Sequence, residues 1–291
     1  CRSELKRIVK LGLAMRQPGA LLPGNHDGLL FGIFNLDAAD IMGDVDARRW
    51  NLGCRSPIRD GVATLEDARG QAVTKRDFIA EYLALVAAKM PPGSGLVAPS
   101  GSGPKRLSWR NPDDDDGFFQ GIEARIDDGR FYSASYIAQM FQLPAAPGAK
   151  RRVRIVALDT NQLITIIGTL DALRRTSPGD IGRVGGDQLD AIAPWIDEAA
   201  KSGDLVVFAG HHNWDHLSPG SRLRIGDLMA RLAHPLIYLS AHTHRGYWAS
   251  HRVEGRPLLE LNVSSLSDWP IAYRRVHFEE DPATGRVKVV A

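Results

Sequence analysis

Two cysteines in 291 residues cannot build a disulfide scaffold, so the core of this chain must come from apolar burial. Cys1 and Cys54 could pair once, and the sequence leaves that open. No apolar run approaches the roughly 20 residues that cross a bilayer; the best, around Tyr82 to Met90, is far shorter. An excess of one charge is also missing. Lys plus Arg number 36 against 34 Asp plus Glu, a net +2, so no global basic field points to nucleic acid. The charged, amphipathic opening residues do not read as a signal peptide. There is no internal repeat, and no motif built around a nucleophilic Ser or Cys.

What is present is an ordinary globular composition, 44% apolar and 24% charged, in a chain long enough for one large domain or two small ones. Apolar spacing predicts an amphipathic helix over Glu4 to Arg16 and a second from Thr74-Lys75-Arg76-Asp77, read as a capping box, to about Met90. Pro, Gly, Ser and Asp make residues 91–150 read as loop-rich, with strand-forming residues only at Phe131 to Ile137. Beyond that the pattern predicts strands at Val153–Leu158, Leu205–Ala209 and Leu236–Ser240, and helices at Asp187–Ala200 and Ser221–Ala233. Strands follow at Tyr247–His251, Leu258–Val263, Ile271–Phe278 and Val287–Val290. Alternating strands and helices followed by a β-rich end indicate α/β layering.

Five of the nine histidines fall in three short patches: Pro23-Gly24-Asn25-His26-Asp27-Gly28, Gly210-His211-His212 and Ala241-His242-Thr243-His244. Each follows an apolar run that reads as a strand, and strand ends opening into such loops are where α/β proteins gather ligands. Imidazole nitrogens and an amide oxygen suit Zn, Fe or Mn, and two such ions can clamp a phosphate. On an extended strand end His211 and His212 point to opposite sides, so both do not easily reach one ion. His242 and His244, two apart, share a face if the backbone stays extended.

In this order, Gly24-Asn25-His26-Asp27, His211-His212 and Ala241-His242-Thr243-His244 resemble the last three motifs of the calcineurin-like metallophosphoesterase superfamily. Ala241 stands where the family has Gly. Ala157-Leu158-Asp159-Thr160 and Gly185-Gly186-Asp187-Gln188-Leu189, with Trp195-Ile196, resemble the strand and helix that precede the doubled His. The resemblance implies a four-layer α/β/β/α sandwich of two mixed sheets flanked by helices. It also implies a binuclear centre of divalent or trivalent Mn, Fe or Zn. By the same resemblance Asn25, His211 and His242 bind one metal and His244 the other. His26 faces the substrate as the catalytic group. Asp27 holds the His26 ring, and His212 supports the site or faces the substrate.

The family's Asp-x-His and Gly-Asp-x-x-Asp do not occur ahead of Gly24. Ser3-Glu4-Leu5-Lys6-Arg7-Ile8-Val9 resembles the start of the helix after the second of them. The expectation is therefore a single metallophosphoesterase domain over 1–291, amino-terminally truncated and lacking its first strands, with an insertion at about 91–150.

Weaker candidates each have a plainer reading. His216, His234, His251 and His277 stand alone in sequence. Asp159 at a strand end suits a turn as well as a site. Asp113-Asp114-Asp115-Asp116 fits no EF-hand spacing and reads as a solvated acidic loop. Lys105, Arg106 and Arg110 with Trp109 read as surface, and Trp214 and Trp269 are candidates to line the cleft. The implied function is hydrolysis of a phosphomonoester or phosphodiester by hydroxide activated at a two-metal site, with a small-molecule phosphate ester as the partner, and the truncated chain alone is expected to be inactive or weak. The alternative is an inactive binding module of the same fold. Compartment and oligomeric state stay open.

Overall fold

The computed structural model describes residues 7, 10, 11, 14, 20–24, 30–31, 73–88, 90, 94–97, 99, 103–111, 119–127, 134–144, 148–149, 151–162, 181–265, 272–281 and 283–291. The chain is α/β. Among the described residues a mixed sheet of eight strands carries helices on both faces, with two further two-stranded sheets. A short pair, β1 (Leu30–Phe31) and β2 (Val73–Thr74), leads into α1 (Lys75–Ala87). β3 (Lys105–Arg110), β4 (Gly121–Ile126) and β5 (Tyr136–Gln142) form an antiparallel meander that joins β6 (Val153–Leu158). Then come α2 (Gly186–Ser202), β7 (Leu205–Gly210), α3 (Pro219–Ala230) and β8 (Leu236–Ser240). β9 (Tyr247–Val253) and β10 (Arg256–Asn262) complete the sheet, and β11 (His277–Glu280) pairs with β12 (Val287–Val290) apart from it.

The sheet order is β3-β4-β5-β6-β7-β8-β10-β9. β6, β7, β8 and β10 are mutually parallel, so their carboxyl ends line one edge of the molecule. α2 and α3 are the crossovers between successive parallel strands, which need a helix-length connection. Both pack on the same face, where Ile192, Trp195, Ile196, Ile225 and Met229 meet Val156, Leu158, Val206, Phe208 and Tyr238. On the other face Phe78, Ile79, Tyr82, Leu83 and Val86 of α1, a stripe at helical spacing, cover Ile122, Ala124, Ile126 and Ile137. The β11–β12 hairpin covers Ile155, Val207 and Ile237 through Phe278, Val287 and Val289.

Local chemistry sets the ends that matter. α2 stops at Gly203, φ +70, where Gly203 N–H reaches the Ala200 carbonyl and Asp204 N–H the Ala199 carbonyl, a Schellman closure. α3 starts at Ser218, whose hydroxyl accepts Ser221 N–H with Pro219 in the first turn. The β9–β10 hairpin turns on Glu254 and Gly255, both at positive φ, as a two-residue turn of this twist requires.

The reading of 91–150 as loop-rich is corrected: β3, β4 and β5 lie there, hydrogen-bonded into the main sheet. The strand expected over Ile271–Phe278 is corrected too, because among its described residues only His277 and Phe278 are extended in a strand and 272–276 are irregular. Arg7, Lys10, Leu11 and Ala14 are helical as expected, but Leu11, assigned to the apolar stripe, is 63% exposed.

His234, just before β8, accepts Val206 N–H on Nε2 at 2.9 Å, and its Nδ1 meets the Pro235 carbonyl at 2.7 Å. Burial holds this imidazole below its ordinary value of 6.5, against the Pro235 hydrogen bond. A depressed folded value means the unfolded chain binds the proton first, so this contribution is full above about pH 6.5 and falls as pH drops toward the folded value. Urea unfolding from pH 7.5 to 5 should show that loss, and His234→Gln should flatten the corresponding part of the slope. An unchanged slope would assign the acid sensitivity elsewhere.

Candidate functional site

The carboxyl ends of β6, β7, β8 and β10 bring the motif-bearing loops together. The segment 20–24 is tied down first. Tyr82 Oη accepts Leu21 N–H at 3.3 Å and donates to Gln139 Oε1 at 2.7 Å, while Gln139 Nε2 donates to the Leu21 carbonyl at 2.9 Å. Asn161, just past β6, donates from Nδ2 to the Gly24 carbonyl at 2.5 Å. A methyl group on Gly24 would stand 3.1 Å from His211 Cε1, so the start of the Asn-His-Asp motif lies against the His211 ring. Asn25, His26 and Asp27 themselves lie outside the described residues.

Lys75 anchors this arrangement from below. Its Nζ lies 3.0 Å from Asp159 Oδ2, with both side chains fully buried, and donates to the Asn161 carbonyl at 2.6 Å. Asp159 also accepts the N–H groups of Ile137 and Asn161, the second as a turn former at the strand end.

His211 and His212 leave β7 together. His212 is fully buried; its N–H donates to Thr160 Oγ1 at 3.1 Å and its Nδ1 lies 2.8 Å from the same hydroxyl. Its carbonyl accepts the Tyr238 hydroxyl at 2.9 Å. The ring rests on Gly182, where a methyl group would sit 2.6 Å from His212 Cγ. Gly182→Ala should therefore tilt the ring or open the loop, costing about 1–3 kcal/mol as overpacking does. Chemical denaturation would measure it; a loss under 0.5 kcal/mol would show the ring can move freely.

The third loop corrects the extended backbone assumed for His242 and His244. His242 has φ +67 and His244 φ +57. Thr243 N–H closes on the Ala241 carbonyl at 2.8 Å, a γ-turn centred on His242 of the rare, strained kind. The two rings therefore do not share a face through strand alternation. The loop is held by β10: Asn262 donates to the Ala241 carbonyl and to Ser240 Oγ, and accepts Thr243 Oγ1–H at 2.9 Å. Two residues earlier, buried Glu260 accepts Trp214 N–H at 3.0 Å and Ser240 Oγ–H at 2.5 Å, and meets His251 Nε2 at 2.6 Å. Glu260 thus bridges the loops after β7 and β8, and Ala241 N–H reaches the His211 carbonyl at 3.0 Å.

The result is a cluster of rings around His242. Its centroid lies 5.2 Å from His211, 4.7 Å from His212 and 5.2 Å from His216. His211 Nε2 and His242 Nδ1 face each other at 3.3 Å. Two nitrogens each about 2.1 Å from a shared tetrahedral ion stand about 3.4 Å apart, so this spacing suits one ion. His244 is exposed at the rim. Among the described residues no three His, Cys, Asp or Glu side chains make a complete cage; an amide oxygen such as that of Asn25 is the further donor the motif offers. Asn213, next after His212, keeps its buried Oδ1 without a hydrogen-bond partner among the described residues. Burial and the nearby Glu260 carboxylate push the Tyr247 hydroxyl up, against hydrogen bonds with Thr243 and Asn213.

Other candidates resolve plainly. Trp109 is buried and donates to the Ser94 carbonyl, and Arg110 pairs with Glu198, so neither is loose surface. Trp214 packs edge-on against Tyr238 at 5.6 Å inside the core. Asp113 to Asp116 and Trp269 lie outside the described residues. Thr160, Glu260, Asn262 and Lys75 were not singled out as site residues by sequence, and His216 was weighed only as a lone histidine. Only His216, four residues past His212, carried a visible hint. Compared with protein-family models and with curated proteins, the chain matches none.

Proposed function

We propose that this chain is a metal-dependent phosphoesterase of the calcineurin-like type, hydrolysing a phosphomonoester or phosphodiester. The observation that carries the reading is the 3.3 Å approach of His211 Nε2 to His242 Nδ1 at the carboxyl edge of parallel strands, with Gly24 against the His211 ring. The donor set fits the implied ions: soft-to-borderline imidazole nitrogens, the Asn25 amide oxygen, and a buried, unpartnered Asn213 Oδ1 one residue from His212. Asn25, His211 and His242 would hold one Mn, Fe or Zn ion and His244 would contribute to a second. Such ions supply a water of lowered pKa and neutralise charge on the phosphoryl oxygens.

The chain's own residues do the rest. His26 would give its proton to the departing alcohol oxygen as the P–O bond breaks, and Asp27 would fix the His26 tautomer by accepting its other N–H. Thr160 and Gly182 hold the His212 ring beneath the cluster. Glu260 and Asn262 keep the two histidine loops in register. The finer architecture belonging to this reading is the four-layer α/β/β/α sandwich, with the β11–β12 hairpin as part of its second sheet.

A second reading, a metal- or phosphate-binding module without turnover, draws on the incomplete cage among the described residues. Assaying the chain with manganese or zinc on chromogenic phosphate mono- and diesters separates the two. The enzyme reading expects weak turnover that a chelator abolishes. Bound metal with no turnover on either ester class favours the module.

A further inference from the structure

The third histidine loop passes from His244 through Arg245 to Gly246 before β9 begins. A methyl group on Gly246 would collide with Arg274 Nη2 and stand 3.0 Å from Ser264 Oγ. The guanidinium therefore lies against bare backbone two residues beyond His244, whose Cα is at most about 7.6 Å from that of Gly246. Arg274 belongs to the irregular arm 272–276, which Ala272 N–H pins to the Ser265 carbonyl beside the end of β10. Arg274 is half-buried, yet it makes no salt bridge or hydrogen bond with any described residue. Several other half-buried or buried arginines contrast with it, and half-buried Arg256 bonds the Leu232 and His234 carbonyls. Arg110 pairs with Glu198, Arg125 with Asp127 and Asp187, Arg152 with Asp204, and Arg154 with Glu198 and Asp204. Among the described residues no carboxylate pairs with Arg274, and exposed Arg245 and Arg275 carry like charge in the same segments. A guanidinium withdrawn from water is normally paired, and its planar fork matches phosphate oxygens.

We propose that Arg274 binds the non-bridging oxygens of the substrate's phosphate, which makes a dianionic phosphate, as in a monoester, the preferred ligand. Ser264 Oγ, on the same side of Gly246, is placed to share that anion. The inference rests on the phosphoesterase reading and refines its substrate class.

The test uses the full chain, inorganic phosphate as probe, and calorimetry with and without manganese, on wild type, Arg274→Ala and Arg274→Lys, with manganese content measured in parallel. Arg274→Ala should weaken phosphate binding about tenfold to a hundredfold, the range for lost charged hydrogen bonds. Arg274→Lys, which keeps the charge but not the fork, should fall between, and manganese content should not change. Equal phosphate affinity in wild type and Arg274→Ala would overturn the proposal. So would absence of phosphate binding by wild type, or loss of manganese in Arg274→Ala. Phosphate binding that depends on Arg274 in a chain that takes up no manganese would support Arg274 and count against the metal reading alone.

Discussion

Replacing His242 by alanine is expected to abolish hydrolysis and to lower manganese or zinc affinity by at least about a hundredfold. Removing an outer-shell partner of a metal ligand already costs about 10–100-fold, and the proposed reading makes His242 a ligand itself. Its ring is the hub that His211, His212 and His216 surround. Its left-handed backbone also relaxes on substitution by nothing but glycine, so alanine keeps the strain and loses the nitrogen. His26→Ala makes the informative comparison: turnover should fall by about two to four orders of magnitude with metal retained. Metal analysis and kinetics on the two variants check both claims. Full metal occupancy in His242→Ala would mean that other nitrogens hold the ion.

Lys75→Met is expected to destabilise the fold by about 3–5 kcal/mol, because it leaves Asp159 buried and charged without its partner. The pair is fully enclosed at 3.0 Å. Restoring neutrality with Lys75→Met plus Asp159→Asn should recover part of the loss, since the amide can still accept one of the Ile137 and Asn161 N–H groups. The same lysine holds the Asn161 carbonyl, and Asn161 holds Gly24. Lys75→Met should therefore also weaken metal binding by loosening the loop against His211. Urea unfolding and metal titration read the two effects separately. A loss below 1 kcal/mol would show that water replaces the ammonium.

Much of the layering was legible because burial writes its period into sequence. Val153–Leu158 and Leu236–Ser240 are apolar apart from the buried Arg154 and the terminal Ser240, as strands covered on both faces require, and they match the structure at both ends. β3 was missed for the opposite reason. Lys105-Arg106-Leu107-Ser108-Trp109-Arg110 is an edge strand with one covered face, set between segments rich in Pro, Gly and Asp. Residues 272–276 misled through β-propensity, which no neighbouring strand takes up in the described sheet.

The approach of His211 to His242 was implied by the resemblance of their two motifs, not by residue spacing. The geometry of the third loop was implied by neither, because it depends on Asn262, 20 residues beyond His242, reaching back to Ala241 and Thr243. Lys75 was invisible for the same reason: its partner Asp159 is 84 residues away. A helix-start lysine reads as solvated until the fold supplies that carboxylate.

The most direct measurement is X-ray absorption at the zinc edge of the zinc-loaded chain, taken on wild type and His242→Ala. Two imidazole nitrogens at about 2.0–2.1 Å in wild type, reduced to one or lost with the metal in His242→Ala, is the predicted result. A shell of oxygens alone in wild type, or an imidazole count unchanged by His242→Ala, would contradict a centre shared by His211 and His242.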